Sequence, residues 1–307
     1  MKRTTIKRLW LHSLTALGLL SQSALATLPI ENLFQHESMP DRKQTQIVTI
    51  SDAQIPYTSE GKVHFVNIET GKYLGALNTG YWYGGVVLPK TRNEIISPET
   101  YFERGTRGKR TDIVAFYDPE TLQPTGEVII PSKRMTPVKV QGATALTDDE
   151  RFLAVMNVTP ATSISIVDVE KREFITEIET PGCTYVYANG VRRFNLICAD
   201  GSFMNIELDD EGQLATRSRR AAVFDPQTDP LTNDAYRMGN AWYQLSMNGH
   251  VHHFSNEPDG SISSTTWSLL TDEEREDNWR IAGHQRMTIH EDSQRLYVLM
   301  IQGAPEL

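Results

Sequence analysis

Three histidines within four positions, His250, His252 and His253, form the densest group of potential metal ligands or proton carriers in the 307-residue sequence. They fall in a predicted strand, where alternation puts His250 and His252 on one face and His253 on the other. Two histidines on a face complete no known ligand set, so the segment reads as a polar strand and no metal site is predicted. The run Arg104-Gly105-Thr106-Arg107-Gly108-Lys109-Arg110 could contact an acidic partner, although such charged loops are usually solvated faces. Gly80-Tyr81-Trp82-Tyr83-Gly84-Gly85 sets three aromatics between glycines, which suits an interface or a pocket wall, with a buried turn as the alternative. The acidic stretch after Thr271 reads as a surface helix over Thr271 to Trp279, N-capped by Thr271, and not as a catalytic carboxylate pair. Nucleophile-elbow, phosphate-loop and zinc-protease motifs are absent.

The cysteines of the sequence are Cys183 and Cys198. Thr184 to Ala188 and Arg193 to Ile197 look like two strands around an Asn189-Gly190 turn, which would bring the sulfurs together across a hairpin. In an exported chain such a pair reads as a disulfide, with two free thiols as the alternative. Export is predicted from residues 1–26: Lys2, Arg3, Lys7 and Arg8 make a basic start, Leu14 to Leu20 a short apolar run, and Ala24-Leu25-Ala26 a cleavage site. That run is far short of the ~20 residues that span a bilayer, so membrane insertion is not expected. The leader carries four positive and no negative side chains, so its removal takes the formal charge from −9 to −13. Such a balance excludes nucleic acid as a partner, because phosphate binding needs a basic footprint.

After the leader, helical periodicity gives way to short apolar or alternating runs separated by Gly, Pro, Asn and Asp, the pattern of an all-β chain. The runs repeat. Val63-His64-Phe65-Val66-Asn67 is answered by Val114-Ala115-Phe116-Tyr117-Asp118 and by Ile164-Ser165-Ile166-Val167-Asp168, and weaker copies follow at Phe203 to Leu208 and Val251 to Phe254. Each copy is a strand, a polar turn and a second strand, and most are preceded by another strand. Units of this kind at a period of roughly 40 to 50 residues are the signature of propeller blades, which stack because a single small sheet cannot bury its own faces. Residues 27–307 are therefore expected to form one β-propeller. The strand at Arg295 to Met300 begins a further copy that seven residues cannot finish, so the ring is expected to be incomplete at its C-terminus.

At these segments the chain resembles the heavy subunit of tryptophan tryptophylquinone-dependent amine dehydrogenases, closer to aromatic amine dehydrogenase than to methylamine dehydrogenase. The resemblance is carried by Tyr101 to Asp112, Pro131-Ser132-Lys133-Arg134, Pro160 to Val169, Gly182-Cys183, Ile197 to Gly201 and Trp267 to Asp272, in order along the whole mature chain. It implies a periplasmic seven-bladed propeller whose last blade or blades are missing here, with one disulfide matching Cys183 and Cys198. It also implies a heterotetramer of two large and two small subunits. The quinone cofactor and the catalytic aspartate would sit on the small subunit, and this chain would carry neither cofactor nor catalytic residue. The complex would oxidise primary amines to aldehyde and ammonia and pass electrons to a blue copper protein. One position transfers: the family sets an aromatic residue at the mouth of the substrate channel in a segment matching Gly75 to Tyr81, which assigns that place to Tyr81. Two other readings stay open, a stand-alone exported propeller that binds a partner without redox chemistry, and a non-functional truncated remnant.

Overall fold

In the computed structural model, residues 37–52, 60–82, 85–135, 140–256 and 262–303 are described. The predicted leader, together with Tyr83 and Gly84 of the aromatic loop, lies outside them. All of the described residues except Glu37 belong to the compact unit Ser38–Leu307.

Consecutive strands pair antiparallel into small sheets in chain order. The first blade is β1 (Ile47–Asp52), β2 (Lys62–Asn67) and β3 (Tyr73–Asn78); the second is β4 (Ile95–Phe102), β5 (Arg110–Tyr117) and β6 (Pro124–Ile130). Four-stranded blades follow: β7 (Thr144–Leu146), β8 (Phe152–Asn157), β9 (Ser163–Asp168) and β10 (Glu173–Glu179), then β11 (Cys183–Ala188), β12 (Arg193–Cys198), β13 (Phe203–Leu208) and β14 (Leu214–Arg219). The fifth is β15 (Leu231–Met238), β16 (Ala241–Ser246), β17 (His250–Asn256) and β18 (Ile262–Ser268). Helix α1 (Asp272–Glu276) leads to two two-stranded ladders, β19 (Trp279–Ile281) with β22 (Met300–Gln302) and β20 (Met287–His290) with β21 (Arg295–Val298).

The all-β propeller expectation holds, but the described residues make five blades and two short ladders and not the seven blades that the resemblance implies. The reason is length: at the 50-residue spacing between Asn67, Asp118 and Asp168, a unit of 270 residues supplies between five and six repeats.

Stacking explains why the middle strands read as unbroken apolar runs. In β8 every residue is buried, because alternate side chains enter two different cores. Leu153 and Val155 pack with Ile96, Val114 and Phe116 of the second blade. Phe152, Ala154 and Met156 pack with Phe194, Leu196 and Ile206 of the fourth. Each such large side chain contributes about 2 kcal/mol of transfer free energy, so a blade is stable only between neighbours. The turns use the expected chemistry: the side chains of Asn67 and Asp118 accept the N–H groups two and three residues on. The residue four positions after each repeat anchor is left-handed, at Gly71, Leu122 and Arg172. The predicted helix is shorter than expected, ending in Asp277 as C-cap, and it carries a full Thr271/Glu274 capping box and buries no side chain. Among the described residues no helix is long and apolar enough to cross a membrane.

Candidate functional site

Two of the segments with chemical character meet at one end of the second blade. After β3, the Asn78 side-chain oxygen accepts the N–H of Gly80 at 2.9 Å and turns the chain toward β4. Gly80 then bridges Thr100, and the N–H of Tyr81 donates to the Thr100 carbonyl at 2.6 Å. Glycine is required at this point, because φ is +78° and a Cβ would lie 2.5 Å from the Thr100 carbonyl oxygen. The Tyr81 ring stands edge-on to Phe102 at 4.9 Å between centroids and to Trp82 at 5.6 Å. Phe102 is the last residue of β4, and the basic loop follows it directly, with Arg104, Arg107 and Lys109 exposed. The result is a half-exposed aromatic ledge beside a cationic rim.

Arg110 belongs to the same basic run but turns inward. Its Nε and Nη2 fork onto Asp112 at 2.8 and 2.7 Å, and Nη2 also donates to the Arg134 carbonyl at 2.6 Å. Asp112 is fully buried and also accepts the Thr100 hydroxyl at 2.9 Å and the Arg134 N–H at 2.9 Å. Arg134 is itself buried, and its Nε donates to the Thr100 hydroxyl oxygen at 3.1 Å. Burial lowers the Arg134 guanidinium to about 10, against the pull of Asp112, which leaves it cationic at neutral pH. Thr100 thus holds the ledge through its main chain and the ion network through its side chain.

On the opposite face of β4, Glu99 is fully buried and accepts hydrogen bonds from the hydroxyls of Tyr101 at 2.6 Å and Tyr117 at 2.8 Å. Burial pushes its carboxyl above the usual range, although both hydroxyls favour the ionised form. Burial, followed by the neighbouring Glu99, raises both phenols in turn.

The inner strands of several blades enclose a cleft of about 570 Å³, walled by residues that include Ile50, Pro98, Arg134, Gln141, Asp234 and Gln285. Asp234 in its wall accepts the N–H of Arg286 at 3.2 Å and its Nη1 at 3.0 Å.

The histidines stand elsewhere, in the fifth blade. His250 pairs through Nδ1 with Asp229 at 2.7 Å, and the same carboxylate accepts the Ser246 hydroxyl and the Asn248 N–H, which pins the preceding loop to the β16–β17 turn. His252 is buried and stacked on Phe254, and burial lowers its imidazole pKa. His253 lies on the other face against Tyr243. Among the described residues no three His, Cys, Asp or Glu side chains converge as a metal site would need.

The cysteine alternatives are resolved. Cys183 and Cys198 are register partners across β11 and β12 and form a disulfide, buried in the core between the third and fourth blades. The buried polar set of Glu99, Thr100, Asp112 and Arg134, arranged about the two faces of β4, is not singled out by the sequence pattern. Its one visible signal is a carboxylate and a threonine continuing the strand that opens with Ile95-Ile96-Ser97, where a buried strand should stay apolar.

Comparison with known proteins gives the context. The family model described as methylamine dehydrogenase heavy chain matches residues 46–305. A methylamine dehydrogenase heavy chain of Paracoccus versutus is 29% identical over 237 residues, covering 76% of this chain and 54% of that protein. One of Methylophilus methylotrophus is 24% identical over 300 residues, covering 94% of this chain and 73% of its own length. The chain thus spans about half the length of the first relative and nearly three quarters of the second. Among solved structures, the Dos1 propeller superposes with a TM-score of 0.52 at 11% identity, covering 87% of this chain and 64% of that one. Hydrazine synthase of Kuenenia stuttgartiensis reaches 0.51 at 11% identity, covering 87% and 83%. Both likenesses speak to the fold alone.

Proposed function

The chain belongs to the methylamine dehydrogenase heavy chain family, and from that premise we propose that it is the non-catalytic large subunit of a periplasmic quinoprotein amine dehydrogenase. The observation that carries the reading is the family match, which runs from the first blade through the last ladder and so includes every element that positions the candidate site. Periplasmic placement is supported by the basic-apolar leader and by the disulfide, which persists in an oxidising compartment.

In this reading the tryptophan tryptophylquinone belongs to a small partner subunit and supplies the oxidation of a primary amine to aldehyde and ammonia. The residues described here fit a wall facing such a group, since the ledge offers aromatic rings, and the two cysteines, paired as Cys183–Cys198, cannot make the disulfide framework of the small subunit. Tyr81 and Phe102 would line the mouth of the substrate channel, giving an apolar face to the amine's carbon skeleton while water stays at the cationic rim. Two rings meeting edge to face favour an aromatic amine over methylamine, because the larger substrate gains contact that the smaller one cannot make. The assembly would be two large and two small subunits, with a blue copper protein accepting the electrons.

The test is co-expression with a cysteine-rich small subunit and assay of amine-dependent dye reduction. A reconstituted complex should oxidise 2-phenylethylamine, and Tyr81→Ala should change its kcat/KM relative to methylamine by about tenfold. If no complex forms, the chain is not a large subunit. An active complex whose amine preference ignores Tyr81→Ala and Tyr81→Phe removes Tyr81 from the channel and leaves the subunit assignment standing.

A further inference from the structure

The cleft between the blades is lined by a guanidinium, that of Arg134, that no carboxylate hydrogen-bonds. Arg134 is only 7% exposed and lines the cleft, yet its guanidinium makes one good hydrogen bond, from Nε to the Thr100 hydroxyl at 3.1 Å, and a long contact of 3.5 Å from Nη1 to the Met135 carbonyl. Among the described residues Nη2 has no hydrogen-bond partner. Asp112 and, more weakly, Glu99 are the carboxylates that act on Arg134, but the oxygens of Asp112 are taken by Thr100, by the Arg110 fork and by the main-chain N–H of Arg134 itself, and those of Glu99 by Tyr101 and Tyr117. The Asp234 carboxylate in the cleft wall is engaged by Arg286. A buried guanidinium has five donors to satisfy, and a buried donor left unmade is destabilising.

Around it the cleft wall mixes apolar side chains such as Ile50, Val86 and Pro98 with neutral polar ones, among them Gln141, Asn233 and Gln285. With its remaining charge of one sign at one end, a cavity of about 570 Å³ is roomy enough for a small molecule and its waters. A guanidinium N–H makes charge-assisted hydrogen bonds to the oxygens of a carboxylate or phosphate.

We propose that this cleft is a binding site for a small oxyanion, a carboxylate or phosphate group, held by Arg134. Nothing in the amine reaction requires it, and the rings of the proposed channel mouth, Tyr81 and Phe102, do not line it. Attraction must be local, because the whole chain is acidic and repels anions at long range.

The experiment titrates the full mature chain with sodium acetate and, separately, with inorganic phosphate, against sodium chloride at equal ionic strength, following heat of binding and thermal midpoint. One of the two oxyanions should give saturable single-site binding that chloride does not. Arg134→Met should weaken it at least tenfold. Asn233→Asp, which adds a carboxylate to the cleft wall and leaves Arg134 in place, should do the same and covers the case in which Arg134→Met does not fold. Acetate binding alone marks a carboxylate site, and phosphate binding alone marks a phosphate site. Absence of saturable binding with both anions, or equal affinity in the parent and in a folded variant, overturns the proposal.

Discussion

The carbonyl oxygen of Thr100 occupies the space into which any side chain at Gly80 would point, 2.5 Å from where a Cβ would be. This contact sets the height of the Tyr81 ring on the blade, since the next N–H along the chain donates to the same carbonyl. Gly80→Ala should therefore cost about 2 kcal/mol or more, combining a left-handed φ with a clash against main chain that cannot move aside. Thermal denaturation should show a midpoint several degrees lower, and the near-ultraviolet circular dichroism of the Tyr81, Trp82 and Phe102 cluster should change.

Asp112 collects four donors in a site without solvent. Asp112→Asn leaves Arg110 and Arg134 facing a neutral amide, and breaking a buried pair from one side costs about 3–5 kcal/mol. Urea denaturation should find a loss of that size. Thr100→Val should lose less, because it removes two hydrogen bonds and no charge. An equal loss in the two variants would show that packing and not the ion network carries the effect.

Glu99 gives a pH dependence of the less common sign. Its folded-state pKa lies above the unfolded value through burial, so the folded chain holds a proton that the unfolded chain has already released. The stability this provides is full below about pH 4.3, the ordinary glutamate value, and is lost as pH rises through the folded-state pKa. Glu99→Gln removes the ionisation and keeps a group that can accept from Tyr101 or Tyr117. Relative to the parent, the variant should gain stability steadily as pH increases, measured by chemical denaturation at a series of pH values. A constant difference across the series would mean that Glu99 does not titrate in the folded chain.

The disulfide closes a loop of sequence separation 15 inside the core between two blades. A loop of that length is worth about 3 kcal/mol through the unfolded chain. Replacing both cysteines with alanine should lower the thermal midpoint by several degrees and leave the far-ultraviolet spectrum of the sheets in place. Cys183 and Cys198 are nearly inaccessible, so native protein should resist reduction until it unfolds, and thiol release should follow the unfolding transition.

What could be read from the chain and what could not divide along one physical line. Turn residues and strand runs act locally, so Asn67, Asp118 and Asp168 announced the repeat, and Asn189-Gly190 announced the hairpin that joins Cys183 to Cys198. The Thr271 cap was legible for the same reason, since its partner Glu274 is three residues away. The described residues make five blades and two short ladders, where the resemblance implied a seven-bladed type lacking its last blade or blades.

The candidate site was legible only in pieces. Tyr81 and the run Arg104 to Arg110 stood out by composition, yet their meeting depends on Gly80 bridging Thr100, twenty positions on. Arg110 looked like its exposed neighbours, and only the folded sheet shows it turned onto a buried Asp112 with Arg134 behind. The sequence by itself determined the repeat, the turns and the strand faces, because those depend on residues a few positions apart. Tertiary structure alone decided which polar side chains are buried and what satisfies them, because strand pairing and blade stacking bring together residues that the chain holds far apart.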